Sequence, residues 1–240
     1  MVGLKITSLW VIECENLEGN NLIDLKNRIL FIHVPKAAGT SVEEYFRRLR
    51  GLDEVDIPAL GIFKNHKSSH LERANHHCTL EMYEKYYFGG AIPEDWRVFT
   101  VVRNPYYRFW SEWKYRRLPP PQRFYFSTLL SVPLLIRLSE KPIARLKDLN
   151  SHMRPQNDFL VGESRDRVRV LHFENIGEEF SQLCRDWNLP DTGLPRSNES
   201  VHRERPSQAH IDLGNAFTRR TYAVDFEAFS YDMNEVIEPK

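Results

Sequence analysis

The sequence predicts a three-layer α/β fold with a central, mostly parallel sheet flanked by helices. Two apolar runs rich in β-branched residues, 29–34 and 98–102, have the length of strands that are covered on both faces. A helical pattern follows each run, and residues 167–173 alternate as a third strand. Because strands that alternate with helices pair in parallel, we expect ligands at the carboxyl ends of these strands.

The other elements follow from local patterns along the chain. Residues 6–12 indicate a short strand, which a polar turn joins to the run at 29–34. We expect helices, in order, at 41–50, 80–87, after Asn104 and Pro105, and at 124–138, 157–161, 177–187 and 211–229. Gly89 and Gly90 end the second of these helices, and Pro133 marks a kink or a boundary in the fourth. Residues 189–208 are expected to form a long proline-bearing loop.

Two further groups are assigned to structure rather than to binding. Four aromatic residues at helical spacing are more typical of packing than of a sugar-binding surface. They are Tyr106, Tyr107, Trp110 and Trp113. The charged run at 165–169 is expected to be a solvated edge or turn.

Length, charge and cysteine content limit the class of protein. The chain has 240 residues, enough for a single domain over 1–240. Lys plus Arg and Asp plus Glu number 33 each, so no global field would recruit nucleic acid or an anionic membrane. Three cysteines without paired spacing favour a reducing compartment. No stretch approaches the roughly 20 apolar residues that span a bilayer, so we expect a soluble, cytoplasmic protein without a membrane span.

The segment 28–46 predicts an anion-binding loop between a strand and a helix. Its candidate residues are Pro35, Lys36, Ala37, Ala38, Gly39, Thr40 and Ser41. The proline ends the strand, Gly39 permits a close turn, and Thr40 and Ser41 are good N-terminal caps. Backbone N–H groups at the helix start, the ammonium of Lys36 and the two hydroxyls would favour a phosphate or sulfate. An ordinary strand-turn-helix with a solvated lysine has the same local pattern.

The segment 98–113 changes the interpretation of this loop. Arg103 ends its strand and Ser111 follows eight positions later in the next helix, so that both could face one anion. Together the two segments resemble the nucleotide-binding motifs of sulfotransferases that use 3′-phosphoadenosine 5′-phosphosulfate (PAPS). The resemblance implies a P-loop-like fold in which the loop with Lys36 holds the 5′-phosphosulfate. It also implies that Arg103 and Ser111 hold the 3′-phosphate, and that the sulfuryl group moves to a hydroxyl without a metal.

Four later segments resemble the carbohydrate branch of that family, with its Golgi glycan sulfotransferases and bacterial relatives. They are HMRPQNDFL, RVLHFENIGEEF, LPRSNES and YAVDFEAFSYD. This resemblance implies a glycan or glycolipid hydroxyl as the acceptor. The Arg-Lys-Gly loop of the small-molecule branch is missing, so Asn198, Ser200 and Arg203 are the candidates for the third contact to the 3′-phosphate. His152 and Arg154, beside Gln156, are the predicted acceptor-binding residues.

A base near neutral pKa is needed to take the proton of the acceptor hydroxyl, which favours histidine. The interval before the second strand contains four candidates, His66, His70, His76 and His77. In the carbohydrate branch the base usually lies in this interval, and the tract at 77–80 fits best. We therefore predict His77 as the base and His70 as second choice. Glu43 or Glu44 in the first helix is a possible substitute, although glutamates there also favour the helix N-terminus.

The predicted domain divides into a nucleotide-binding core, about 28–115 and 165–190, and acceptor-side insertions, about 51–97 and 118–160. Two alternatives stay open. The first is a P-loop kinase or NTPase. Two features argue against it: the lysine of the loop precedes the glycine, and no aspartate at a strand end is evident as a magnesium ligand. The second is a nucleotide-binding protein without transfer activity. No pattern indicates an oligomeric state.

Overall fold

A four-stranded sheet forms the centre of the described part of the protein. The computed structural model describes residues 23–51, 77–116, 131–140, 147–195 and 205–235. The strands lie in the order β1 (Ile23–Asp24), β2 (Ile29–Ile32), β3 (Arg97–Val102) and β4 (Val168–His172). β1 is antiparallel to β2, whereas β2, β3 and β4 are parallel. The predicted mostly parallel sheet is confirmed, and the predicted strand at 6–12 lies outside the described residues.

Helices connect and follow the strands. They are α1 (Gly39–Leu49), α2 (Leu80–Tyr83), α3 (Pro105–Arg116), α4 (Val132–Glu140), α5 (Lys147–His152), α6 (Ile176–Asp186), α7 (Gln208–Thr221) and α8 (Ala223–Ala228). α2 continues as a π-helical turn, Glu84–Phe88, which ends at Gly89 with a φ of 74°. Short 3₁₀ turns cover Asn157–Leu160, Arg165–Arg167 and Phe173–Asn175. None of the helices in these segments is long and apolar enough to cross a membrane.

The main core packs on β2 and β3, which are buried along almost their whole length. Phe31 of β2 stacks on Phe99 of β3 with 4.9 Å between ring centroids. Phe46 of α1 and Phe180 of α6 lie 6.0 and 6.4 Å from the same ring. Aromatic contacts at these distances add to the free energy of burial, so these side chains fasten α1 and α6 to the sheet.

A second core lies between α3, α4 and α7. Trp110 of α3 is buried, and its Nε1 donates to Oδ1 of Asn215 in α7 at 3.1 Å. A Cβ at Gly214 would stand 2.7 Å from the Trp110 ring, so the glycine allows the close contact of the two helices. Tyr106, Trp110 and Trp113 are buried, which confirms their assignment to packing. This core holds α3, and with it the segment after β3, in place.

Three predictions about elements are wrong or incomplete. The single helix expected at 211–229 is two helices, which break at Tyr222 (φ −112°, ψ 25°). The hydroxyl of this buried tyrosine donates to the carbonyl of Met153 at 3.0 Å, and this tertiary contact favours the break. Of the helix expected at 124–138, residues 124–130 lie outside the described residues, and the described part is helical over Val132–Glu140, with Pro133 in its first turn, where a proline is tolerated. The charged run at 165–169 forms the predicted turn and the start of edge strand β4 of the described sheet, but it is not fully solvated, because Arg167 donates to the carbonyls of Ile92 and Trp96.

Candidate active site

The loop between β2 and α1 has an unusual backbone. Lys36 and Ala38 have φ values of 66° and 62°, a region that side chains other than glycine seldom adopt. Ala38 is the N-cap of α1 and makes no side-chain capping bond. The prediction that Thr40 and Ser41 cap the helix is therefore wrong, since both lie in its first turn. The two residues therefore lie at the N-terminal end of α1, where helices favour anions, and their contact with an anion stays a prediction.

Gly39 is needed because His33 lies against it. A Cβ at this position would stand 1.8 Å from Nε2 of His33, far inside contact distance. The histidine is buried at the end of β2, and its Nδ1 lies 2.8 Å from Oε1 of Glu43 in α1. Glycine was predicted here for a close turn, but the side chain that demands it was not foreseen. His33 therefore joins the strand end to the first turn of α1.

Arg103 brings the two predicted phosphate-binding segments into contact. Its Nη1 donates to the carbonyl oxygen of Lys36 at 3.3 Å, and its guanidinium stacks 4.0 Å from the Phe173 ring centroid. Burial lowers the pKa of Arg103, and the carboxylate of Glu174 opposes this effect. Ser111 is half-buried on α3, and its part in a shared anion site stays a prediction.

Gln156 holds the backbone of Arg103 from both sides. Its Oε1 accepts from the Arg103 N–H at 2.9 Å, and its Nε2 donates to the Arg103 carbonyl at 2.8 Å. Gln156 is itself fully buried, and its own N–H donates to Asp225 at 2.8 Å. The orientation of Arg103 is therefore set by a segment more than fifty positions away.

Arg108 connects the loop to the segment that follows α5. This buried guanidinium donates to the carbonyls of Pro35, His152 and Arg154 at 3.1, 2.7 and 2.7 Å. Three acceptors in three positions need the fork of donors that only arginine offers. Arg108 was not predicted, although its place five residues after Arg103 in the same helix-forming segment was visible in the sequence.

Two histidines and a carboxylate form a buried chain next to the loop. Nε2 of His77 lies 3.0 Å from Nε2 of His152, and Nδ1 of His152 lies 2.7 Å from Oε2 of Glu112 in α3. Arg116, one turn further along α3, pairs with the other oxygen of Glu112. His77 and His152 were predicted for separate tasks, whereas the structure brings them together. Glu112 was missed, because nothing in its local sequence indicates that it faces His152.

Lys36 reaches the same chain through an aromatic ring. Its Nζ lies 3.6 Å from the ring centroid of Tyr115, and this ring stacks on His152 at 5.6 Å with an interplanar angle of 13°. Burial raises the pKa of Glu112, but its electrostatic and hydrogen-bonding contacts with His152, with Arg116 and, more weakly, with Lys36 outweigh burial and hold this pKa well below its usual range. Glu112 is therefore an anion at neutral pH, and the proposed catalytic lysine stands near it.

Several predicted site residues have other surroundings or lie outside the description. Glu44 is paired with Arg47 and Arg48, away from His77. The guanidinium of Arg154 lies 5.6 Å from the Phe159 ring centroid, and its side chain is half-buried. His66, His70, His76, Asn198, Ser200 and Arg203 lie outside the described residues. Within the described segments, no group of three or more His, Cys, Asp or Glu side chains is arranged to hold a metal ion.

The fold defines an α/β protein in which the loop predicted to bind an anion follows the first parallel strand. The family model described as "Sulfotransferase family" matches residues 20–232, so the chain belongs to the sulfotransferase family. It is also similar to the crystal structure of a sulfotransferase from Alicyclobacillus acidocaldarius, with 17% sequence identity, 91% of each chain covered and a TM-score of 0.40. A comparison with curated proteins finds no match.

Proposed function

We propose that this sulfotransferase moves the sulfuryl group of PAPS to a hydroxyl of a carbohydrate acceptor. The observation that carries the proposal is the 3.3 Å hydrogen bond from Arg103 to the carbonyl of Lys36. It joins the two segments that resemble the 5′- and 3′-phosphate motifs of PAPS enzymes, at one edge of one sheet. A donor with phosphates at both positions is the ligand that such a pair fits best.

The nucleotide would lie along the N-terminal end of α1. In this proposal the backbone of Pro35, Ala37, Ala38 and Gly39, with the hydroxyls of Thr40 and Ser41, cradles the 5′-phosphosulfate. Arg103 and Ser111 select the 3′-phosphate, which distinguishes PAPS from ATP-like nucleotides. Asn198 and Ser200 are proposed as further contacts, on the strength of the resemblance alone.

Transfer would proceed by in-line attack of the acceptor oxygen on sulfur. Lys36 would offset the negative charge that grows on the departing phosphate, which is usually the dominant contribution to such a step. His77 is the proposed base, and it is supported by its burial within the hydrogen-bonded chain that starts at Glu112. The acceptor would be held near His152 and Arg154.

The proposal also covers the class of acceptor and the cellular compartment. A glycan or glycolipid hydroxyl is supported by the four later segments that resemble the carbohydrate branch. Cys78 and Cys184 are buried thiols rather than disulfide partners, which is consistent with a reducing, cytoplasmic compartment. Burial raises the pKa of the Cys78 thiol to about 12, so this cysteine is not a nucleophile at neutral pH.

Calorimetric titration tests the donor first. Binding of 3′,5′-ADP that is unchanged by a metal chelator supports the proposal, and ATP should bind much more weakly. Magnesium-dependent ATP binding with no response to 3′,5′-ADP would establish the kinase or NTPase alternative instead. Transfer of label from ³⁵S-PAPS, screened over polysaccharides, glycolipids and small alcohols, then tests the acceptor. If 3′,5′-ADP binds but no acceptor of any class is labelled, the protein is a nucleotide-binding member without transfer activity.

A further inference from the structure

A single histidine base does not need two further buried partners, yet a hydrogen-bonded chain runs from Glu112 through His152 to His77. His77, His152 and Glu112 are 5%, 5% and 1% exposed, and they come from three separate segments of the sequence. Two contacts of 3.0 and 2.7 Å join them end to end. Removing one partner of a buried hydrogen bond destabilises the folded protein. These contacts therefore hold both histidine rings in one orientation.

Hydrogen-bond chemistry assigns the protons along this chain when both histidines are neutral. An ionised carboxylate only accepts hydrogen bonds, so the contact between Glu112 and Nδ1 of His152 requires a proton on that nitrogen. A neutral His152 then has its lone pair at Nε2. The contact between the two Nε2 atoms therefore takes its proton from His77. Glu112 thus selects the tautomer of both histidines and leaves the lone pair of His77 at Nδ1.

We propose that Glu112 and His152 are positioning residues that form a proton relay with His77 during sulfuryl transfer. This inference rests on the proposed function, because it needs an acceptor hydroxyl that gives its proton to His77. It extends the role of His152 from acceptor binding to control of the base. It assigns Glu112 a role that the primary sequence did not suggest.

The relay balances as follows. The acceptor oxygen forms a bond to sulfur, the bond between sulfur and the 5′-phosphate oxygen breaks, and the electron pair leaves with 3′,5′-ADP. The hydroxyl proton goes to Nδ1 of His77, while the proton on Nε2 of His77 passes to Nε2 of His152. His152 becomes an imidazolium that keeps its Nδ1–H bond to Glu112. One proton lies between the two Nε2 atoms both before and after the step, so neither ring has to turn.

The surrounding charges favour this final position of the positive charge. His152 contacts the Glu112 carboxylate and stacks on the Tyr115 ring. The positive charges of Arg116 and Lys36 interact electrostatically with Glu112. On the side of His77 lies the ring of His33, at 4.8 Å between centroids, which is itself beside Glu43. The Glu112 carboxylate is in direct contact with His152. Moving the proton there places the charge next to an anion, which stabilises it.

The test compares two substitutions that remove the charge of a buried glutamate. Glu112→Gln keeps the shape of the side chain but removes the anion next to His152. Glu84→Gln is the matched control, because Glu84 is also buried and accepts from the N–H groups of Glu163 and Ser164 at 3.0 and 2.7 Å, outside the site. We expect Glu112→Gln to lower kcat by about 100-fold. Glu84→Gln should keep kcat within about twofold of wild type.

Two readouts separate a relay from a merely structural role. Without the carboxylate the pair is a weaker base, so the acid limb of the kcat/KM profile should move to lower pH in Glu112→Gln. The affinity for 3′,5′-ADP should stay within about twofold of wild type, because the nucleotide contacts are untouched, and Glu112→Asp should recover part of the rate. Full activity in Glu112→Gln, or a lower rate with an unmoved acid limb, would overturn the relay.

Nitrogen NMR of the unaltered protein gives an answer that does not depend on a variant folding. Histidine labelled with ¹⁵N should show, at neutral pH without ligand, the proton of His77 on Nε2 and that of His152 on Nδ1. The opposite tautomer at either ring would contradict the proposal. If wild type transfers sulfuryl while the relay tests fail, the proposed function stands and the relay is wrong. If wild type neither binds 3′,5′-ADP nor transfers sulfuryl, both are overturned.

Discussion

Nε of Arg108 donates to the carbonyl oxygen of Pro35 at 3.1 Å, so a buried side chain of α3 holds the first residue of the anion-binding loop. The same guanidinium holds the carbonyls of His152 and Arg154. The loop and the segment that carries His152 are therefore tied to one helix. Damage to this contact should disturb the nucleotide end and the acceptor end of the site together.

Arg108→Lys should destabilise the protein by about 2–4 kcal/mol, because a single ammonium nitrogen cannot reach carbonyls that Nε and Nη2 of the guanidinium contact from separate positions. Urea denaturation measures the free energy of unfolding, and calorimetry should show weaker 3′,5′-ADP binding. The control is Arg169→Lys, whose arginine forms a partly exposed ion pair with Asp186 at 2.6 Å. That change should cost less than about 1 kcal/mol. Equal stability of the two variants would show that Arg108 does not hold the loop.

Gly39→Ala should be tolerated poorly, because its Cβ would overlap the buried His33 ring. We expect a loss of about 1–3 kcal/mol in the free energy of unfolding, as is typical of an overpacked site. Binding of 3′,5′-ADP should weaken as well, since the start of α1 must shift. Gly177→Ala is the control: an added Cβ there meets nothing within 4 Å, and the residue lies in α6. It should leave stability unchanged or raise it by up to about 1 kcal/mol.

Lys36→Met should lower kcat by about 10²–10³-fold, because the charge that offsets the departing phosphate is lost. Lys85→Met is the matched control. Lys85 also rests over an aromatic ring, with its Nζ 5.3 Å from the Tyr86 centroid, but it lies in the π-helical turn after α2. A labelled-PAPS assay compares the two variants. Retention of the wild-type rate by Lys36→Met would contradict the proposed loop chemistry.

The stability that Glu112 contributes should depend on pH in a defined direction. Its folded-state pKa is well below the usual value of about 4.3, because favourable contacts with His152 and Arg116 exceed the cost of burial. A carboxyl of this kind stabilises the folded state fully above about pH 4.3, and the stabilisation is lost as the pH falls toward the lowered pKa. The quantity to compare is the difference in free energy of unfolding between wild type and Glu112→Gln. It should shift against wild type between pH 4 and pH 3, and a flat difference over that range would be inconsistent with the lowered pKa.

Elements that depend on neighbouring residues were predictable. The runs at 29–34 and 98–102 are apolar because they are buried strands, and the proline and glycine after the first run mark its turn. Each of these patterns involves consecutive residues. The sheet, α1, α3 and the loop between β2 and α1 were therefore all expected. The details of the loop were not: the helix begins at Gly39 rather than after a hydroxyl cap, because Ala38 adopts a left-handed backbone.

Contacts between distant positions were not predictable from one sequence. His77 and His152 lie 75 positions apart, and His152 lies 40 positions from Glu112. Nothing in the local pattern of any of the three indicates its partners. Trp110 of α3 and Leu149 of α5 belong to the same buried core, so it is tertiary packing that brings Glu112 and His152 together. The same holds for Gln156, whose amide clasps the backbone of Arg103.

The sequence by itself determined a mostly parallel α/β sheet, the strand-loop-helix turn at Lys36 that is predicted to bind an anion, and the pairing of this motif with the one at Arg103. It could do so because strand length, turn chemistry and residue spacing are properties of consecutive residues. Only the tertiary structure decided which buried groups surround that loop: Arg108 below it, His33 against Gly39, and the chain from Glu112 to His77. Those arrangements depend on how the helices pack, since a side chain becomes a neighbour only when two elements are brought together.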